Sequence, residues 1–456
     1  MSFTDRMFDP RSVAVIGASP RPGTVGQQVV ENLMNSDFTG SLYPVNPSAS
    51  EVLGLRAYGD IACLPEVPDL AVLAIPASAC ADALEQAGRA GIPNVIVLSS
   101  GFSEVGQAGK DLQIALTRIA RRHGIGLIGP NCQGLMNMAH GVRIGFGTPY
   151  SLSYKVGKVG VISQSGAFGN SILLELDRAG IGVSKYISTG NEAGLKSTEV
   201  LEQYLSDPSI STVAMYIEGL HDLDRFGELA RSFRTQGKQI LLWKVGNSAA
   251  GARAATRHTA NLCIETQFEP ARFAADGVIA ISDIDHLVDA ARALGTERKL
   301  LSNYVAIASV SGGVGIEMAD QCAAHGLNVS RLSNDTEAAL TETLPEFASL
   351  QNPVDLTGTA FTSPEAIQDA LLAIARDRGI GGLLVGLAAV SGQAASLAAR
   401  TIANISAKTD LPIMVASNAP RSLAADAYSI FESTKIPVFR NPARCVRALK
   451  TLQTAG

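Results

Sequence analysis

Three times along this chain a run of aliphatic, β-branched residues stops at a turn of small residues and continues into helical sequence. Residues 12–16 pass through Gly17 to 25–34, residues 159–162 pass through 163–169 to 170–179, and residues 304–310 pass through 311–315 to 316–325. This unit constrains the fold more than any other feature. A short strand with no polar alternation is buried on both faces, and a helix returning over the sheet covers one of them. Repeated, the unit builds parallel sheets wound with helices on both sides. Strands of the same character are predicted at 41–45, 69–75, 94–98, 126–128, 183–188, 212–217 and 240–243, and again at 382–385, 411–415 and 437–439. Helices are predicted at 78–90 and 107–123. The reading is an α/β protein of three domains, 1–145, 152–298 and 302–456, with Glu297-Arg298-Lys299 as a charged, exposed link.

Composition narrows the function. Hydrophobic residues reach 46% while aromatics are 5%, with 44 glycines, a profile of Ala/Val/Gly-rich α/β domains rather than sandwiches or fibres. The net charge of −5 comes without acidic or basic runs, so no nucleic-acid footprint is expected. Six cysteines (63, 80, 132, 263, 322, 445) form no CxxC pair, which argues for a reducing compartment and against a metal site. The start, MSFTDRMFDP, lacks the apolar core of a signal peptide, and no stretch of some 18 to 20 residues is uniformly apolar. A soluble, cytoplasmic protein without membrane contact is expected.

In a doubly wound sheet, ligands sit beyond the carboxyl ends of the strands, so the loops there carry the chemistry. The first turn, GASPRPGTVG, places glycines at 17, 23 and 26, where backbone N–H groups can approach a phosphate at a helix start. Its spacing is not the dinucleotide GxGxxG. The second strand ends in Asn46-Pro47, where an NAD enzyme places an acid for the ribose hydroxyls, so an NAD(P) oxidoreductase is disfavoured and the pocket suits another nucleotide. Cys132, in Gly129-Pro130-Asn131-Cys132, has no histidine pattern to activate it and reads as pocket-lining. Ser163-Gln164-Ser165-Gly166 opens a helix and reads either as an anion site or as an ordinary N-cap. Glu218 follows a buried strand and projects into the cleft. The strand 240–243 leads into a loop of small residues that carries His258, either a surface histidine or a residue whose backbone passes close to a ligand. Ser165, Glu218 and His258 are expected on one rim, with donors for phosphoryl oxygens and a carboxylate for the second ring nitrogen. Ser311-Gly312-Gly313 repeats the helix-opening device, as a second phosphate site or simply a tight turn.

The ordered motifs VAVIGAS…PGTVG, YPVNP, GPNCQG, ISQSGAFG, YIEG and WKVG…GARAA…HTA resemble the NDP-forming acyl-CoA synthetases, relatives of the α subunit of succinyl-CoA synthetase. The likeness covers essentially the whole chain. It implies a Rossmann-like CoA-binding domain followed by two flavodoxin-like domains, the last matching the domain carried by the succinyl-CoA synthetase β subunit. By this resemblance His258 is the transiently phosphorylated histidine and Glu218 the acid that holds it. Ser163, Gln164, Ser165 and Gly166, with Gly312 and Gly313, would bind phosphate. Coenzyme A would be held by Gly17, Ala18, Ser19, Gly23, Val25 and Asn46, together with Ile75, Pro76, Ala77, Ser99, Ser100 and Gly101. Asn131 and Cys132 would lie near the thioester. Arg257-His258-Thr259-Ala260 stands where the family has Ser-His-Thr-Gly. Alanine restricts a position where glycine permits positive φ, which motivates the alternative of a non-catalytic CoA or acyl-CoA sensor. No Walker A motif is present, and the end at Gly456 leaves no room for an ATP-grasp module of ~200 residues. The kinase half, with ATP/ADP and Mg, is therefore expected on an ATP-grasp β-type partner. The substrates would be a small carboxylic acid, CoA and phosphate, in a hetero-oligomer or a homodimer of α chains.

Overall fold

The structure, a computed structural model, describes residues 5–251, 253, 268–357 and 364–454. It separates into two compact units divided between Ile284 and Asp285.

The first unit holds two sheets. The strands β1 (Ser12–Ile16), β2 (Ser41–Val45), β5 (Leu70–Leu73), β6 (Asn94–Val97) and β7 (Gly126–Ile128) form an all-parallel sheet in the order β2-β1-β5-β6-β7. A two-residue ribbon, β3 (Glu51–Val52) with β4 (Leu55–Arg56), follows β2. Both faces of β1 are covered, which explains its unbroken apolar run. Val13 and Val15 join Val29, Val30 and Leu33 of the helix Val25–Met34. Ala14 and Ile16 face Leu84 and Leu116 of the helices Ala77–Arg89 and Gln107–His123. Because β1 is flanked by β2 on one side and β5 on the other, the winding reverses there and opens a crevice past its carboxyl end.

The second sheet runs β14-β13-β12-β10-β11-β8-β9. Its parallel part comprises β10 (Val156–Ser163), β11 (Val183–Ser188), β12 (Thr212–Ile217), β13 (Gln239–Lys244) and β14 (Val278–Ala280). The hairpin β8 (Gly134–Asn137) and β9 (Val142–Gly145) adds antiparallel to β11, with Lys185 opposite Asn137. The sequence reading leaves 134–145 with the first domain. The structure gives them to the second sheet, where Leu135, Met136 and Ile144 are buried and the edge of β11 is paired. The winding reverses again at β10, between β11 and β12, so the second crevice opens past β10 and β12.

The second unit carries β15 (Val305–Ser309), β16 (Val354–Asp355), β17 (Gly382–Leu387), β18 (Ile413–Ser417) and β19 (Val438–Phe439), all parallel, in the order β16-β15-β17-β18-β19. The helix Ile284–Leu294 lies almost wholly on this side of the division. Its Asp289, fully buried, accepts hydrogen bonds from Arg444 Nε (2.6 Å) and Nη2 (2.7 Å). Arg298 is not a loose charge in an exposed link: its Nη2 donates to Ser406 O at 2.6 Å and its Nη1 to Leu411 O. No helix among the described residues is long and apolar enough to cross a membrane, and no group of acidic, histidine or cysteine side chains among them could hold a metal.

Candidate active site

The first crevice is built by glycine and by one amide. Gly17 has φ +90°, and a Cβ there would lie 2.4 Å from Ala74 O, so only glycine lets the turn after β1 rest on the end of β5. Gly26 is as constrained, its missing Cβ 2.1 Å from Gly17 O. Asn46 Nδ2 donates to Ala18 O at 2.6 Å, and its Oδ1 accepts from Ser48 N at 2.8 Å. The residue standing where a ribose-binding acid would be is thus a neutral clamp on the turn. Ser99 Oγ donates to Ile75 O at 2.5 Å, and Gly101 N to Glu104 Oε1 at 2.6 Å. Gly17, Ala18, Ser19, Gly23, Val25, Asn46, Ile75, Pro76, Ala77, Ser99, Ser100 and Gly101 all follow the carboxyl ends of β1, β2, β5 and β6, and so share one rim.

Asn131 and Cys132 divide. Asn131 has φ +57° and donates from Nδ2 to Asn191 Oδ1 at 3.1 Å, tying the first sheet's loop to the loop after β11. Asn191 Nδ2 in turn donates to Glu104 Oε2 at 2.6 Å. Cys132 does not line the pocket. It is 2% exposed, donates weakly to Val97 O at 3.4 Å, and burial pushes its thiol up to about 12. A thiol held protonated in an apolar core is no nucleophile.

The second crevice gathers the remaining candidates of the first unit. Ser163 is buried at the end of β10 and donates to Ser165 O at 2.6 Å. Ser165 caps the helix Gly166–Arg178, its Oγ accepting from Phe168 N at 3.3 Å. The cap satisfies one first-turn donor and leaves others without an intrahelical acceptor. A Cβ on Gly166 would meet Gln133 Cγ at 2.6 Å, so this helix start is pressed against the turn before β8. Phe168 stacks on Tyr216 (centroids 4.4 Å apart) and meets Trp243 edge-on at 5.0 Å, fixing the same helix start to β12 and β13.

Gln164 is the hub. Its Nε2 donates to Glu192 Oε1 (3.1 Å) and Gly219 O (2.8 Å), while its Oε1 accepts from Glu218 N (2.6 Å) and Gly219 N (3.2 Å). Both ends of the amide are spent on protein, so Gln164 holds the Glu218 loop rather than offering a free donor. Glu218 is 7% exposed at the end of β12. Burial, and then the nearby Glu218 carboxylate, raise the pKa of Tyr216. Lys244 was not singled out in the sequence. It ends β13 in register with Ile217, is 3% exposed, and donates from Nζ to Val245 O and to Asn247 Oδ1 (3.2 Å). Burial lowers its pKa, against the pull of Glu269 and Glu218. The signal was available: a charge ending the apolar run Ile240-Leu241-Leu242-Trp243, the pattern that picked out Glu218.

His258 lies outside the described residues, so its convergence with Ser165 and Glu218 is not observed. Gly312 and Gly313 open the helix Gly312–Ala324 in the second unit. A carboxylate already stands there, since Asp355 Oδ2 is 3.5 Å from where a Cβ of Gly312 would be.

These crevices can be set beside known proteins. Residues 11–138 match the CoA binding domain, 156–294 the succinyl-CoA ligase like flavodoxin domain, and 305–443 the ligase-CoA domain. The chain is 31% identical over 455 residues to the α subunit of acetate–CoA ligase (ADP-forming) I of Pyrococcus furiosus, covering 98% of this chain and 96% of that subunit. It belongs to the NDP-forming acyl-CoA synthetase family. Another member, acetate–CoA ligase (ADP-forming) I of Archaeoglobus fulgidus, is 34% identical over 98% of this chain. The chain spans 63% of the length of that longer ligase. Among solved structures, the dinucleotide forming acetyl-coenzyme A synthetase 1 of Ca. Korarchaeum cryptofilum, in complex with phosphate and ADP, superimposes with a TM-score of 0.89. It is 27% identical, and the match covers 100% of this chain and 97% of that one. Family membership bears out the Rossmann-like and flavodoxin-like architecture read from the motifs.

Proposed function

We propose that this chain is the CoA- and phosphohistidine-bearing part of an acyl-CoA synthetase that interconverts carboxylic acid, CoA and ATP with acyl-CoA, ADP and phosphate. The observation that carries this reading is the Gln164 clasp. It joins the strand end leading to the Ser165 helix start and the loop carrying Glu218, placing an anion-favouring helix terminus and a buried carboxylate in one crevice. In the acyl-CoA-consuming direction, a phosphate oxygen attacks the thioester carbonyl. The C–O bond forms, the C–S bond breaks, and CoA leaves as thiolate to take up a proton. A ring nitrogen of His258 then attacks the phosphorus of the acyl phosphate: the N–P bond forms, the P–O bond breaks, and the carboxylate departs with the P–O electrons. The helix start at Ser165 steadies the oxyanions while Glu218 accepts the proton-bearing second ring nitrogen, fixing the tautomer and offsetting the imidazolium charge. ADP and Mg belong to an ATP-grasp partner, to which His258 carries the phosphoryl group. The relatives named as α subunits support such a partner. The acid is a small carboxylate, held while the first crevice anchors CoA.

Incubating the chain with radiolabelled phosphate and a panel of acetyl-, propionyl-, succinyl- and aryl-CoA tests this without the partner. The expected product is an acid-labile, base-stable label, absent from His258→Asn. Glu218→Gln should label tenfold to a hundredfold more slowly, since a charge-assisted hydrogen bond is worth roughly 1.5–3 kcal/mol. Tight CoA binding with no label from any member of the panel would leave a CoA sensor in place of an enzyme.

A further inference from the structure

We propose that Glu192 and His221 form a positioning pair that, through Gln164, holds the Glu218 loop in its working geometry. The inference rests on the role of Glu218 proposed above and adds two residues to it. Neither was singled out in the sequence, because Glu192 follows a turn and His221 opens a loop.

Glu192 is an unusual residue for its place. Its φ is +54°, a left-handed conformation that crowds the Cβ of any residue but glycine. It is also 1% exposed. A strained, buried acid persists only where its surroundings fix it. Here Oε1 accepts from Gln164 Nε2 (3.1 Å), Thr189 Oγ1 (2.9 Å), Ser197 N (3.1 Å) and Ser197 Oγ. Every partner of that oxygen is a donor, as a carboxylate requires. The other oxygen, Oε2, faces His221 Nε2 at 3.4 Å, with side-chain exposures of 15% for His221 and 2% for Glu192. No hydrogen bond of ordinary length reaches His221 Nε2. An inward movement of about 0.5 Å would make one.

The chain of contacts runs in one direction. His221 sits three residues beyond Glu218 on the loop that closes β12. Its ring touches Glu192, Glu192 orients the Gln164 amide, and that amide binds Glu218 N, Gly219 N and Gly219 O. The loop is therefore gripped at Glu218–Gly219 by Gln164 and at His221 by the residue that sets Gln164. Without Glu192 the amide of Gln164 could turn over, exchanging an acceptor for donors beneath Glu218 N. The charged groups around His221 are Glu192 from the loop after β11 and Lys196 before the helix Ser197–Ser206, and burial holds its pKa below the usual value despite Glu192. The neutral ring serves as donor when its proton is on Nε2.

Hydrogen–deuterium exchange of the peptide spanning 216–222, together with phosphate labelling, tests the pair in the full chain. His221→Leu removes the donor. His221→Gln supplies an amide donor near the same position. Glu192→Gln keeps an acceptor oxygen at the hub but turns an NH2 toward the ring. We expect exchange at Glu218 and Gly219 to rise about tenfold in His221→Leu and Glu192→Gln, and labelling to slow about tenfold, with CoA affinity unchanged. His221→Gln should restore both to within about threefold of wild type. Unchanged exchange in His221→Leu and Glu192→Gln overturns the pair whether or not the chain labels. If Glu218→Gln slows labelling while both pair variants label normally, the pair fails and the role of Glu218 stands. If Glu218→Gln labels normally, that role fails and exchange alone judges the pair.

Discussion

Replacing Gln164 by alanine removes the side chain on which the second crevice turns, and the structure sets the size of the effect. Four hydrogen bonds disappear, two from Nε2 and two to Oε1. Three buried backbone groups, Glu218 N, Gly219 N and Gly219 O, lose their partner. A stranded buried polar group costs about 1–3 kcal/mol, so the sum would approach 9 kcal/mol if nothing relaxed. The loop stands at the open end of the sheet, where water can enter, which brings each group to the lower part of that range. The expected loss is about 3–5 kcal/mol, a large share of the 5–15 kcal/mol typical of a whole domain. Trp243 is the only tryptophan and its ring touches Phe168 and Tyr216, so urea unfolding followed by its fluorescence reports the first unit.

Gln164→Glu sharpens the test. It preserves size and the acceptor but points an oxygen at Glu192 Oε1 and Gly219 O, which stood 3.1 and 2.8 Å from the donor. The new carboxyl, pressed against an acid, would have a raised folded pKa, so its penalty is full at high pH and shrinks as pH falls through that value. Gln164→Glu should therefore be less stable at pH 8 than at pH 6, relative to wild type. A midpoint shift worth under 1 kcal/mol in Gln164→Ala, with normal phosphate labelling, would refute the hub.

Four further outcomes follow from single observations. Calorimetry should show CoA binding and no NAD binding, because Asn46 supplies a neutral clamp in place of a ribose-binding acid; the reverse result would sink the pocket assignment. Cys132 should resist alkylation at pH 8 while exposed Cys63 reacts, as peptide mapping would show. Asp289→Asn should destabilise the second unit by about 1–3 kcal/mol, since it removes the charge from two hydrogen bonds with Arg444 while Arg444 keeps Asp285 at 3.1 Å, and thermal unfolding would register the loss. The depressed pKa of His221 means that the unfolded chain takes up its proton first. Stability should therefore fall as pH drops below ~6.5 toward the folded value, and the non-titrating His221→Gln should flatten that part of the pH–stability curve.

Much of the fold was legible because buried parallel strands advertise themselves. The strands at Ser12–Ile16, Ser41–Val45, Gly126–Ile128, Val183–Ser188 and Thr212–Ile217 fall where the apolar runs place them. The hairpin β8–β9 was not legible. Its sequence, Gly134 to Gly145, is interrupted by Asn137, His140 and Arg143, and nothing local says that it pairs antiparallel with the edge of a different sheet. Side chains that end strands, such as Glu218, were readable because a charge after an apolar run has one place to go. Residues that work through hydrogen bonds to loops were not. Gln164 reads as one more small polar residue at a helix start, and Asn46 as a missing acid.

The same distinction explains why the site is better understood as a clasp than as a set of ligands. The phosphoryl chemistry proposed here asks little of any single side chain beyond a helix terminus and a carboxylate, both common features of doubly wound sheets. Their value lies in being held in fixed relation through the transfer. The structure gives Gln164 four hydrogen bonds and Glu192 Oε1 four donors, all buried, at the point where β10, β11 and β12 end. Such a hub resists turning the Gln164 amide over, because the reversal would set its NH2 against Glu218 N and Gly219 N and its oxygen against Glu192 Oε1 and Gly219 O. Rigidity of this kind arises from loops far apart in the chain, between Gln164 and Gly219 for instance, and therefore becomes visible only once the sheet has brought them together.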